Sequence, residues 1–315
     1  IFDFINGFHD TANAIATSVS TRAIKPANAI IMAAFLNFVG AIYSTGVAKT
    51  IGGDIVASAE MVDEHVIIAA LVGSIVWNLF TWYVAMPSSS SHAMVGGIIG
   101  AVLVSTGSDG LNFMGIGKIV LSLIASPVIA IATGFIVMTI LFIVFGKFAP
   151  SVLNGRFKKM QILSAAAMAF SHGSNDAQKS MGIITLALLS GGYISTFEVP
   201  DYVKFLCAAA MACGTAVGGW RIIRTIGGKI FKLEPISGFA ADLNSSIVIF
   251  SATLLHLPVS TTHVVSGSIM GVGTAKRIRA VRWGVAQQML AAWVLTIPCT
   301  AIMGALAYQI VLWVF

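Results

Sequence analysis

The sequence predicts an all-α polytopic membrane protein. It is expected to consist of two inverted-topology repeats of about five membrane segments each, with broken or half helices at a midplane site. Composition, loop charge and an internal duplication carry that expectation. Of 315 residues, 57% are hydrophobic and only 10% charged, with a mean hydropathy of +0.92. A soluble domain is about a quarter charged, so water is not the solvent for most of this surface. Ala27 to Ala48, Val66 to Met86, Ile119 to Phe145 and Trp283 to Phe315 carry few or no charges. Each is long enough for a helix crossing the hydrocarbon core, which needs about 20 residues.

Charge placement orients the chain. Of the 18 basic residues, 14 fall in four short stretches: Arg22 and Lys25; Lys147, Arg156, Lys158 and Lys159; Arg221, Arg224, Lys229 and Lys232; Lys276, Arg277, Arg279 and Arg282. Such clustering is the positive-inside signal of cytoplasmic loops; it argues against nucleic acid as the partner and for a lipid bilayer. The loops between are acidic, with Asp54, Glu60, Asp63 and Glu64, then Asp109, then Glu198 and Asp201. Ile1 opens directly into an apolar segment interrupted by Asn6 and Asp10, so no cleavable signal peptide is visible. Cys207, Cys213 and Cys299 lack metal-ligand spacing and read as small buried residues.

Three motifs recur in one order. Asn6-Gly-Phe-His-Asp-Thr-Ala-Asn13 returns as His172-Gly-Ser-Asn-Asp-Ala-Gln-Lys179, and Thr50-Ile-Gly-Gly53 as Thr225-Ile-Gly-Gly228. Pro87-Ser-Ser-Ser-Ser-His92 returns as Pro258-Val-Ser-Thr-Thr-His263. The offsets are 166, 175 and 171 residues, which indicates a duplication. The first repeat is assigned to 1–146, a cytoplasmic linker to 147–160 and the second repeat to 161–315. The expected segments are 1–21, 27–48, 66–86, 88–105 and 119–146, then 161–190, 203–220, 236–256, 259–275 and 283–313. Five crossings per copy invert the second copy, as in many secondary transporters with a site at the repeat interface. Segments 161–190 and 283–313 are long enough to contain a break.

The polar residues inside these segments are the candidate machinery, because charges in a bilayer are costly. Asn6, Asp10, Asn13 and Thr17 share one helical face, and Asp176 repeats Asp10 with Ser174 and Asn175 beside it. Carboxylate and amide oxygens suit a hard cation such as sodium. Gly7 and Gly173 could let each helix break there and offer carbonyls to the same ion. The plainer alternative is two buried carboxylates satisfied by amide neighbours. Each Pro-hydroxyl run reads as a helix start whose Ser and Thr cap free N–H groups, and such ends attract oxyanions. Simple capping is again the alternative, although four consecutive hydroxyls exceed what it needs. His92 and His263 suggest a proton relay less readily than a structural role, and His9 and His172 call for the same caution. Lys179 balances Asp176 or snorkels.

These motifs resemble the inorganic phosphate transporter family, marked by a duplicated G-x-x-D-x-x-N type signature near the start of each half. The second copy departs from it, with Lys179 where the first has Asn13. The resemblance implies a secondary transporter, not an enzyme, importing inorganic phosphate across the cell membrane by symport with sodium or protons; sodium is the ion expected here. Phosphate is assigned to Ser89, Ser90, Ser91, Ser260, Thr261, Thr262 and Gln178, and the cation to Asn6, Asp10, Asn13, Ser174, Asn175 and Asp176. Sodium is placed at Asp10, Asn13, Asn175 and Asp176, with Lys179 balancing charge; apart from these coupling ions no cofactor is expected. The hydroxyls are expected to face the anion while the ion ligands lie elsewhere. A sulfate or other oxyanion permease, or a proton-coupled metal-phosphate carrier, remains an alternative, and a homo-oligomer is left open. An intramembrane aspartyl protease also uses two Asp, but its G-x-G-D pattern is absent, and an anion channel has no use for paired acidic sites.

Overall fold

A computed structural model describes residues 1–314; Phe315, the expected end of the second repeat, and the side chains of Pro150, Ser151, Trp220 and Arg221 lie outside the described residues. Twelve α-helices account for most of them: α1 (Phe2–Ser20), α2 (Pro26–Ala41), α3 (Gly46–Asp54), α4 (Glu64–Tyr83), α5 (Ser90–Ser105), α6 (Phe113–Phe145), α7 (Pro150–Ser190), α8 (Asp201–Val217), α9 (Trp220–Gly228), α10 (Pro235–Leu254), α11 (Thr261–Lys276) and α12 (Trp283–Val314). Among the described residues no strand forms beyond one isolated bridge, Val56 to Leu111.

Hydropathy sorts these helices into an outer and an inner set. Helices α4, α6 and α12 are each long and apolar enough to cross a membrane alone, and α2 with α3 and α8 with α9 do so as bent pairs. On α6 and α12 large apolar side chains such as Leu121, Val128, Ile143, Val294, Ile302 and Ile310 are exposed, as lipid-facing surface requires. Helices α1, α5, α7, α10 and α11 instead bury polar residues among their neighbours. Cys207 is buried, but Cys213 faces outward and Cys299 is half-buried, so only the first fits the expected buried role.

The breaks fall elsewhere than expected. α7 runs unbroken for 41 residues, absorbing 150–160 of the expected linker, and α12 for 32. The second span of each half bends instead, by 69° between α2 and α3 and by 76° between α8 and α9. Gly7 and Gly173 do not break their helices. A Cβ on Gly7 would strike the Met211 carbonyl of α8, and one on Gly173 the Asn37 carbonyl of α2. These glycines therefore serve close helix approach.

Matched local geometry reaches beyond the motifs. α1 ends on Arg22 at φ +58° and α7 on Gly192 at +71°; α4 ends on Ala85 at +56° and α10 on His256 at +59°. The left-handed turn lets an amide close back on the helix: Met86 N–H donates to the Thr81 carbonyl and Leu257 N–H to that of Ala252. At Ala85 and His256 this conformation costs about 1–2 kcal/mol. Each turn throws the chain into an extended Pro-Ser lead that ends in a half helix, α5 or α11. Packing crosses between the halves: α5 lies on α12 and α11 on α6, while α2 packs on α7 and α8 on α1. Such exchange is consistent with an inverted repeat.

Candidate functional site

Asp10 and Asp176 meet at the starts of the two half helices. Ser90, the first residue of α5, donates to Asp10 Oδ2 at 2.9 Å, and Thr261, the first residue of α11, donates to Asp176 Oδ2 at 2.9 Å. The same bond thus occurs once per repeat. Asn13 Nδ2 joins the copies, reaching Thr262 Oγ1 at 2.9 Å and Thr261 Oγ1 at 3.3 Å, and the Thr262 hydroxyl lies 3.4 Å from Asp10 Oδ1. Asp10, His172 and Asp176 each bring a ligand atom within 4.8 Å of the others. All of these side chains are buried. The expectation that hydroxyls and ion ligands lie apart is therefore corrected: they form one cluster. Serine and threonine reach both because a hydroxyl donates to a carboxylate while its oxygen accepts from an amide.

The two carboxylates have different company. Asp10 accepts from Ser90, from Thr262 and from His9 Nδ1 at 2.7 Å, and His9 Nε2 reaches Thr81 on α4 at 3.2 Å. Asp176 is ion-paired with Lys179 one turn on and has His172 Nε2 at 3.2 Å. Lys179 is wholly buried, so it pairs rather than snorkels.

Several residues assigned from sequence have structural partners. Gln178 Oε1 accepts from the Val47 and Ala48 amides at 2.8 and 3.2 Å, capping α3, and its Nε2 donates to the Ser174 carbonyl at 2.5 Å. Asn175 fixes the lead into α11, donating to Thr253 Oγ1 and the Leu257 carbonyl and accepting from Val259 N–H. Ser174 donates to the Ser171 carbonyl and lies 3.5 Å from Thr253 Oγ1. Asn175 is thereby committed to the extended segment before α11, which has no helix of its own to satisfy it, whereas the Ser174 oxygen keeps its acceptor capacity. Ser89 and Ser260 cap their half helices, accepting from His92 and His263 N–H at 3.2 and 3.3 Å. Ser91 donates to the Val259 carbonyl, tying α5 to the other lead. His92 and His263 stand 4.6 Å apart by ring centroids, with His263 stacked on Trp293 at 3.9 Å.

Sequence reasoning missed two more buried carboxylates. Asp242 on α10 accepts from Thr17 and lies 3.4 Å from Gln161 Nε2. Asp3 accepts from Ser180 at 2.6 Å. A lone acidic residue inside an apolar run was the available signal. Buried Asn78 on α4 was also missed; like Asn6 and the Asn13 oxygen, its amide has no protein partner.

Buried carboxylates at the junction of two helix starts, within a shell of apolar helices, are the arrangement of a multi-pass integral membrane transporter. The chain belongs to the phosphate transporter family, whose sequence profile matches residues 6–304. It is similar to a probable low-affinity inorganic phosphate transporter of Bacillus subtilis (strain 168), 52% identical over 100% of this chain and 95% of that protein. A protein of the same description from Rhizobium meliloti (strain 1021) is 45% identical over 98% of this chain and 92% of its own length. Among solved structures, a sodium-dependent phosphate transporter superposes with a TM-score of 0.89 at 26% identity, covering 100% of this chain and 97% of that one.

Proposed function

We propose that this protein imports inorganic phosphate by symport with a cation, sodium, through the cluster at the starts of α5 and α11. The observation that carries the reading is the twinned bond from Ser90 to Asp10 and from Thr261 to Asp176. It sets two helix N-termini, each with free N–H groups and partial positive charge, beside two carboxylates. An oxyanion suits the N–H and hydroxyl groups. It suits the carboxylates only if cations intervene, since like charges in low dielectric repel strongly. Lys179 supplies one such cation to Asp176, and a mobile ion at Asp10 supplies the second. The relatives this chain resembles are phosphate transporters, and the one of solved structure is sodium-dependent.

A proton-coupled reading is favoured by the imidazoles on both carboxylates, His9 on Asp10 and His172 on Asp176. Phosphate uptake into proteoliposomes separates the two. Sodium coupling gives accumulation against a phosphate gradient only with an inward sodium gradient, at equal pH on both sides, and Asp10→Asn abolishes it. Accumulation driven by a pH gradient with sodium absent favours the proton, and facilitated equilibration without concentration under either gradient overturns symport.

A further inference from the structure

Asn6 on α1 and Asn78 on α4 are fully buried, and neither amide oxygen nor amide nitrogen of either has a hydrogen-bond partner in the protein. Unbonded amides in low dielectric are costly and rare in native interiors. Other buried amides are at least partly in use: Asn13 donates to Thr261 and Thr262, Asn37 to Thr215 Oγ1 at 2.9 Å, and Asn244 to the Ala130 carbonyl and Ser268 Oγ at 2.9 and 2.7 Å.

The two amides lie at one level. Phe2 and Asp3 share a cavity wall with Leu71. Further along both helices, Phe8 packs edge-on against Trp82 at 5.5 Å and His9 reaches Thr81 at 3.2 Å. Thus α1 and α4 run side by side in the same direction, and Asn6 and Asn78 fall between these two anchor points. Asp10 is one turn beyond Asn6 on the same face.

Among the described residues of 161–314 no buried asparagine or glutamine amide is left wholly unpartnered. At the motif offset of 166 residues Asn6 corresponds to His172 and Asn13 to Lys179; at the offset of 171 residues that relates the two Pro motifs, Asn78 corresponds to buried Ile249. Three amides in one copy are replaced by an imidazole, an ammonium and a branched aliphatic side chain in the other.

We propose that Asn6 and Asn78 bind a monovalent cation between α1 and α4, with Asp10 supplying its counter-charge, and that the second repeat has no equivalent site. The inference rests on the cation-coupled reading above. It adds Asn78 as a ligand and confines the mobile ion to the first repeat, in place of sodium at Asn175 and Asp176. Neutral amide oxygens and a single carboxylate suit a small hard ion of charge one; a divalent ion draws more carboxylates. Lys179 stands permanently where a second mobile ion would otherwise neutralise Asp176.

Sodium titrations test this on the full chain, read by thermal unfolding in detergent and by phosphate uptake in proteoliposomes, with choline chloride holding ionic strength. Sodium raises the parent's unfolding temperature. Asn6→Ala and Asn78→Ala raise the half-saturating sodium concentration at least about tenfold in both readouts, the effect of losing one bond to a charged group. Asn78→Ser, which keeps an oxygen, falls between. Asn244→Ala lowers the unfolding temperature without moving the sodium half-saturation. A folded Asn78→Ala protein with the parent's sodium dependence overturns the site and leaves the amides to water or to each other. If that variant does not fold, parental sodium dependence in Asn78→Ser overturns it equally. A parent that shows no response to sodium in either readout overturns the coupling reading itself, and the site with it.

Discussion

Asp10 and Asp176 hold the same place in two recurring motifs and have different electrostatic surroundings. Each takes a hydroxyl from the first residue of its half helix, at the same 2.9 Å. Beyond that bond they diverge. Asp176 is closed by protein, with Lys179 paired to it and His172 alongside. Asp10 has only His9 and hydroxyls, and along its helix Asn6 and the Asn13 oxygen stay unpartnered. A buried carboxylate must find a positive partner or a proton. The second repeat carries its partner covalently, while the first leaves room for one that arrives and departs. The two motifs share one frame, the bond from half helix to carboxylate, and differ in what neutralises the carboxylate.

The comparison breaks or holds most visibly at Lys179. Removing one member of a buried ion pair leaves the other charge uncompensated, at a cost of about 3–5 kcal/mol. That is a large part of a typical stability of about 5–15 kcal/mol. Lys179→Ala therefore lowers the thermal unfolding temperature in detergent sharply and abolishes uptake. Adding Asp176→Asn to it restores most of the stability and none of the transport. Asp10→Asn, which breaks no fixed ion pair, leaves the unfolding temperature near the parent's. If Asp10→Asn and Lys179→Ala destabilise equally, the two carboxylates are not different in kind.

How far the sequence reaches follows from what each signal depends on. Helical class, the shared face of Asn6, Asp10, Asn13 and Thr17, and the two hydroxyl-rich helix starts rest on local periodicity and on proline and serine chemistry, which a chain displays without its neighbours. The breaks between α2 and α3 and between α8 and α9 do not. Gly218 at φ +77° marks the second, but Ile42 to Thr45 contain neither glycine nor proline, so that bend is imposed by packing. Gly7 and Gly173 mislead because glycine permits both a break and a close approach, and only the neighbouring Met211 and Asn37 carbonyls decide. Gln178 and Asn175 read as ligands in the sequence, where their bonds to α3 and to the lead into α11 cannot be seen. Asn78 and Asp242 were visible as lone polar residues, but a lone residue does not name its partner.

A finer test compares the two matched hydroxyls. Loss of a hydrogen bond to a charged group costs about 1.5–3 kcal/mol, or roughly 10- to 150-fold in affinity. Ser90→Ala and Thr261→Val each weaken phosphate uptake in that range. They differ in their sodium dependence. Ser90 touches the carboxylate with the mobile ion, so its loss raises the half-saturating sodium concentration as well. Thr261 touches the carboxylate already paired with Lys179, so its loss leaves sodium dependence near the parent's. Equal sodium shifts in both variants return the second repeat to an ion-binding role.

The smallest effect separates capping from anion binding at the residues just before those hydroxyls. Ser89 and Ser260 occupy the N-cap positions of α5 and α11, and each oxygen accepts the N–H three residues on. Removing such a cap costs typically about 1 kcal/mol. Ser89 has a second partner, His92 Nδ1 at 2.8 Å, which Ser260 lacks in this form, because the His263 ring is stacked on Trp293. Ser89→Ala therefore lowers the unfolding temperature more than Ser260→Ala, by the worth of one further neutral hydrogen bond, again about 1 kcal/mol. Both variants that reach the membrane keep a half-saturating phosphate concentration within a few-fold of the parent's, since each oxygen already accepts from its own helix and has less to offer an anion than Ser90 or Thr261. A loss of phosphate affinity in Ser89→Ala as large as in Ser90→Ala means that the cap opens to the substrate during transport, and the phosphate contacts then extend one residue further back on each half helix.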